Sequence, residues 1–139
     1  MRRNPAFEHF GAHLDCFADY VTKGIFPVLF LLTATALQVA SLPVALIYLM
    51  AIAIRYSYEF VPDRAHIGLS PDYTIVFLCL MHLAAPRLGA AFIPILMASL
   101  LVFGALAVAP FPSPRMNGAT AVGFCLFLLL PAAILLTSN

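Results

Sequence analysis

The chain has 139 residues, of which 63% are hydrophobic and 9% are charged, and its mean hydropathy is +1.02. Soluble domains carry about 25% charged residues, so this composition excludes a soluble domain and predicts an integral membrane protein. The formal net charge is +1 and the cations are scattered along the chain, which excludes a nucleic-acid-binding protein.

Apolar stretches separated by proline, glycine and charged residues predict an all-α, polytopic membrane protein in which residues 1–139 form a single transmembrane domain. We expect about five transmembrane helices, and the first should enter the bilayer near Gly24 after a more polar interfacial part. The third and fourth should be joined by a tight turn at residues 86–89. The predicted helices run from about Phe7 to Leu37, Leu42 to Phe60, Asp72 to Ala85, Ala90 to Val108 and Thr120 to Thr137.

The distribution of basic residues predicts the orientation. Basic residues of inner-membrane proteins concentrate on the cytoplasmic side, and a cytoplasmic amino terminus satisfies this rule here. We therefore expect a multi-pass protein of the cytoplasmic membrane with its candidate site on the cytoplasmic face. On that side would lie Arg2, Arg3, Arg55, Arg64 and Arg115, with Lys23 near the same face, and outside would lie Arg87.

A polar stripe opens the first predicted helix. Gly11, Asp15, Asp19 and Lys23 are spaced four residues apart and so share one helix face. Charged groups at the edge of a membrane span are costly and usually mark a functional site. Two carboxylates at this spacing repel each other unless a cation lies between them, and hard divalent cations bind such oxygens together with substrate phosphates. The stripe predicts half of a metal site; the alternative is that Asp19 pairs with Lys23 while Asp15 is solvated.

The motif Gly11-x-x-x-Asp15-x-x-x-Asp19 resembles the second half of the signature of the CDP-alcohol phosphatidyltransferases, which reads D-x-x-D-G-x-x-A-R, a short spacer, and G-x-x-x-D-x-x-x-D. Arg3 stands where the arginine of the first half is found, and Arg2 would fit with a spacer one residue longer. The D-x-x-D-G part of the signature is missing from this sequence.

Other segments are similar to the phosphatidylserine synthase branch of this family. They are residues 18–27, 53–55, 67–71 and 109–113, in the order expected for that branch. Phosphatidylcholine synthases of the same family remain an alternative, because Asp19-Tyr20 and residues 70–73 also suit their pattern.

The resemblance implies a transferase of phospholipid biosynthesis that moves a phosphatidyl group from CDP-diacylglycerol to a small alcohol, with serine favoured, and releases CMP. It implies a divalent cofactor, Mg²⁺ or Mn²⁺, held by Asp15 and Asp19, and a catalytic role for Asp19 as general base. It also assigns CDP-diacylglycerol binding to Arg3, Gly11 and Asp15, and it is compatible with a homodimer.

Two further cations are candidates for substrate contacts. Lys23 and Arg55 would neutralise the lipid phosphate or the carboxylate of the acceptor, although an arginine at a helix end is more often an interfacial anchor.

The missing half of the signature would remove two of four metal ligands. We therefore expect this chain alone to turn over little CDP-diacylglycerol, because its coding region starts further upstream or because it is a relative that no longer catalyses transfer. Two other classes stay open: a non-catalytic membrane subunit and an ion-coupled carrier, the latter disfavoured because the acids lie at one edge and no repeat is visible.

Overall fold

The computed structural model describes residues 5–59 and 68–111, and every regular element in these two ranges is helical. The first helix is continuous and consists of α1 (Pro5–Asp19), a π-helical segment (Tyr20–Ile25) and α2 (Phe26–Ala34). It is followed by α3 (Ser41–Glu59), α4 (Asp72–Leu88), a short 3₁₀ turn (Gly89–Ala91) and α5 (Phe92–Val108).

Helices α4 and α5 form an antiparallel hairpin. Phe77 of α4 packs against Phe103 of α5 with ring centroids 5.2 Å apart. Near the open end of the hairpin, the Leu69 N–H donates to the Leu106 carbonyl at 2.8 Å. The chain therefore reverses direction at the 3₁₀ turn, where Gly89 has a φ of 50°.

The first helix packs against the other three. Phe30 contacts His82 of α4 and Phe92 of α5, with centroid distances of 5.9 and 6.5 Å, and Tyr20 contacts Tyr56 of α3 at 6.5 Å. These pairs are consistent with α4 running in the same direction as the first helix and with α3 and α5 running in the opposite direction.

The core lies where the helices meet. Gly104 of α5 allows close approach to α3, because a Cβ at this position would lie 3.5 Å from Ala51 Cβ and from the Tyr48 ring. Small residues at the interface allow membrane helices to approach each other closely. The buried core comprises Val28, Leu31, Val44, Ala45, Tyr48, Ile52, Tyr56, Leu78, Met81, Leu96, Leu100 and Ala107.

Within the described residues, three helices are long and apolar enough to cross a membrane: His13–Ala34, Ser41–Tyr58 and Asp72–Val108. The last of these contains the hairpin of α4 and α5. The prediction of an all-α fold is confirmed for the described residues, and three helices that could cross a membrane are consistent with a membrane protein, whereas the count of five transmembrane helices is not confirmed. The predicted helix from Thr120 to Thr137 lies outside the described residues, and the cytoplasmic orientation stays a prediction.

Two predicted helix ends were wrong. The first helix ends at Ala34 and not at Leu37, because Ala36 and Leu37 adopt positive φ values of 49° and 58° that an α-helix cannot contain. The third predicted helix continues through Pro86 to Leu88 and not only to Ala85. Proline removes one helical hydrogen bond, which is tolerated here because the helix has almost ended.

The segment before α4 is fixed to the end of α5 by Gly68. Its N–H donates to the Phe111 carbonyl at 2.8 Å, and its φ is +76°. A Cβ on this residue would lie 2.1 Å from the carbonyl oxygen of Ala107. Only glycine fits this close backbone contact without displacing the chain.

Replacing Gly68 with alanine should destabilise the protein by about 2 kcal/mol or more, since the left-handed backbone alone costs about 1–2 kcal/mol and the clash adds to it. Reversible unfolding in mixed micelles measures the change. Gly11→Ala is the control, because a Cβ there meets nothing within 4 Å and alanine favours the helix. Equal effects of the two substitutions would contradict this account of Gly68.

Candidate functional site

The polar stripe of the first helix contains an ion pair. The Nζ of Lys23 donates to Oδ2 of Asp19 at 2.9 Å, one helical turn away. This is the contact of the alternative interpretation of the stripe, in which Asp19 pairs with Lys23. Residues four apart still contact each other here, although Lys23 lies in the π-helical segment.

A second carboxylate, from another helix, also pairs with Lys23. Lys23 Nζ also lies 2.9 Å from Oδ1 of Asp72, the first residue of α4. One ammonium group therefore joins Asp19 and Asp72, and we call these three residues the ion-pair cluster. Two carboxylates and one ammonium give it a formal charge of −1.

Asp72 is held in place by its position at a helix start. The Ser70 hydroxyl donates to Oδ2 of Asp72 at 2.6 Å, while Oδ1 faces Lys23. A carboxylate in the first turn is also stabilised by the positive end of the helix dipole. Both oxygens of Asp72 thus have a defined partner.

Lys23 is positioned by the π-helical segment and by α3. The hydroxyl of Tyr48, a fully buried residue, donates to the Lys23 carbonyl at 2.8 Å. Thr74 of α4, also buried, lies beside the Tyr48 hydroxyl. π-helical turns in α-helices often occur at functional sites.

The other predicted site residues differ in burial. Asp15 is exposed on the same helix, and Gly11, also exposed, has open space where a side chain would be. Arg55 is a buried residue of α3, with 4% of its surface exposed. Arg3 lies outside the described residues.

A divalent cation would find few ligands here. Among the residues that the structure describes, no group of three or more His, Cys, Asp or Glu side chains could hold a metal ion. Mg²⁺ prefers six oxygen ligands, so Asp15 and Asp19 alone would leave most positions to water, phosphate or other carboxylates. The predicted pair fits a metal only as part of a larger ligand set.

An apolar groove begins beside the ion-pair cluster, between α2 and α4. This α2–α4 groove has a volume of about 630 Å³ and is lined by Lys23 and Asp72 at one end. A smaller cavity of about 430 Å³ follows along the same two helices and shares Phe26 with the groove. The apolar wall of the groove includes Ile25, Phe26, Leu29, Ile75 and Val76.

Sequence reasoning missed Asp72, Ser70 and Tyr48. A signal for Asp72 was present, because an acid directly after Ser70-Pro71 at a predicted helix start is typical of a capped helix. No local pattern indicated that this helix start would lie beside Lys23. That contact depends on tertiary packing.

No family model matches the chain, and comparisons with curated proteins and with solved structures found no match. The resemblance to the CDP-alcohol phosphatidyltransferases therefore depends on the motif and on the other similar segments of the sequence alone.

A double-mutant cycle of Lys23→Met and Asp72→Asn should give a coupling energy of about 0.5–1 kcal/mol, the range of partly exposed ion pairs. The coupling should weaken at high ionic strength, because salt screens exposed charges. Unfolding of the four proteins in mixed micelles measures it. The matched cycle of Lys23 with Asp15 should show a smaller coupling, and a larger one would contradict the contact between Lys23 and Asp72.

Tyr48→Phe should cost about 1 kcal/mol of stability, because it removes the buried donor to the Lys23 carbonyl. Thr22→Val is the control, since the Thr22 hydroxyl is exposed and bonds only within its own helix, to the carbonyls of Ala18 and Asp19. Its effect should stay within about 0.5 kcal/mol. A phenylalanine variant as stable as wild type would show that the Tyr48 bond does not support the π-helical segment.

Proposed function

We propose that this chain takes part in phospholipid biosynthesis as a phosphatidyltransferase, in which a phosphatidyl group passes from CDP-diacylglycerol to a small alcohol and CMP is released. Serine is the favoured acceptor and choline the alternative. The observation that carries the proposal is the position of the carboxylates: Asp19 and Asp72 lie at the end of a membrane helix bundle, beside an apolar groove.

This position suits a reaction between a lipid and a water-soluble alcohol. The lipid-linked diphosphate must remain at the membrane edge, and the alcohol must reach it from water. Asp15 is exposed, and Asp19 is half-buried at the same end. Acidic and cationic groups at that level can orient both reactants while the acyl chains stay among apolar side chains.

The proposed roles follow the motif. Asp19 uses Oδ2 to bind Lys23, so Oδ1 is the oxygen that would accept the proton of the alcohol. Lys23 supplies positive charge next to the reacting phosphates. Arg3 and Gly11 would contact the nucleotide side of the donor, and Arg55, buried in α3, is the candidate contact to the lipid phosphate or the acceptor.

A divalent ion, Mg²⁺ or Mn²⁺, belongs to this proposal and would neutralise charge on the diphosphate and the leaving group when bound. Asp15 and Asp19 would contribute two of its ligands. The remaining carboxylates would come from the D-x-x-D-G part of the signature, which the described residues do not contain.

The test measures CMP release from CDP-diacylglycerol in vesicles with Mg²⁺ or Mn²⁺ and either serine or choline. The 139-residue chain is compared with a version to which the first half of the signature and its helix are joined. We expect acceptor-dependent and metal-dependent CMP release from the extended version, and little from the 139-residue chain. Asp15→Asn and Asp19→Asn should each reduce the extended version's rate about 100-fold, as when charge-stabilising groups are removed.

The outcomes separate the alternatives. Acceptor-dependent release that survives both Asn substitutions would exclude the assigned carboxylate roles, and the absence of release with either alcohol would count against phosphatidyl transfer. Equal rates with and without the added segment would exclude the need for four carboxylates.

A second candidate function, a non-catalytic membrane subunit, is favoured by one observation. Lys23 already balances Asp19 and Asp72 within the chain, as expected for a packing contact between helices. In that case Asp19→Asn would lower stability, and no metal-dependent CMP release would be measured with or without the substitution.

A further inference from the structure

The α2–α4 groove is arranged like a binding site for one lipid. Its polar end, Lys23 and Asp72, coincides with the start of the membrane-crossing stretch Asp72–Val108. From there it continues along apolar side chains such as Leu29 and Val76. With the cavity that follows, the apolar path reaches from the level of Lys23 to that of Phe30, roughly 10 Å at helical rise. This covers much of one leaflet, which is about 15 Å thick.

The charge at the polar end of the groove restricts which lipid head groups can bind there. The ion-pair cluster has a formal charge of −1, and its carboxylates keep accessible surface, since the side chains of Asp19 and Asp72 are 36% and 47% exposed. In the absence of a divalent ion, an anionic head group would be repelled there. An ammonium group would find the Asp72 carboxylate, which accepts hydrogen bonds, in the groove lining, and a phosphate beside it would lie near Lys23.

We propose that the α2–α4 groove binds a zwitterionic aminophospholipid, with one acyl chain along α2 and α4 and its primary ammonium group on Asp72. A phospholipid of the phosphatidylethanolamine type has this chemistry: a primary ammonium group, one phosphate and no further charge. The site goes beyond the proposed transfer reaction and does not rest on it, because a resident lipid can be bound whether or not the chain is an enzyme.

The experiment identifies the lipids that the purified full chain retains. The protein is placed in bilayer discs of equal amounts of phosphatidylethanolamine and phosphatidylglycerol with identical acyl chains, then extracted into mild detergent, and its bound lipids are quantified by mass spectrometry. We expect phosphatidylethanolamine to be enriched about fivefold, the ratio expected from a partly exposed ion pair. Equal retention, or a preference for phosphatidylglycerol, would overturn the proposal.

Charge variants test the head-group contact. Asp72→Asn should bring the ratio of the two lipids close to one, whereas Asp72→Glu should keep the enrichment. Asp15→Asn removes the same charge outside the groove lining and should leave the ratio unchanged. An unchanged ratio in Asp72→Asn, or an equal loss in Asp15→Asn, would overturn the contact with Asp72. Equal retention of phosphatidylcholine in a parallel disc would overturn the requirement for a primary ammonium.

A groove-filling variant tests the apolar part. Val76→Phe should reduce the total retained lipid by about one molecule per chain, because Val76 lines the groove. Leu46→Phe is the control, since Leu46 is an exposed residue of α3 outside the groove lining. Wild-type retention in a folded Val76→Phe protein would overturn the assignment of the groove. Helical content by circular dichroism checks folding, and the charge variants test the proposal independently of it.

Discussion

The bridge from Lys23 to Asp19 and Asp72 is the interaction on which the candidate site depends. One ammonium group joins two helices that are far apart in sequence, at the end of the helix bundle. Its partners are partly exposed, so its contribution to stability is modest. Its importance is geometric, because it sets the start of α4 against the first helix and leaves Asp15 and the mouth of the groove accessible.

The helices around this bridge do not all pack equally closely. Helices α3 and α5 approach each other closely at Gly104, where Tyr48 and Ala51 fill the interface. Tyr48 also donates a hydrogen bond to the Lys23 carbonyl. The interface between α3 and α5 therefore helps to position the backbone of Lys23. Along α2 and α4 the packing is looser, and a groove remains. The close interface thus lies on one side of the bundle and the open groove on the other.

The sequence predicted local features better than tertiary ones. The pairing of Asp19 with Lys23 was among the interpretations of the stripe, because helix geometry alone brings residues four apart together. Asp72 was missed as a site residue, because its contact depends on how the first helix and α4 pack. The helix end at Ala34 was missed as well, since nothing local requires positive φ at Ala36 and Leu37. The catalytic and metal-binding roles depend on a short motif, which the fold neither requires nor excludes.

The proposed chemistry and the observed ion pair place different demands on Asp19. A divalent ion at Asp15 and Asp19 would compete with Lys23 for Oδ2 of Asp19, because the proposed base role already uses Oδ1. Asp72 resolves this conflict. It binds Lys23 independently at 2.9 Å and is itself held by Ser70, so the ammonium would keep its place while Asp19 turns toward the ion. In that arrangement the lysine would remain within reach of the diphosphate, and Asp72, which the signature does not contain, would determine its position.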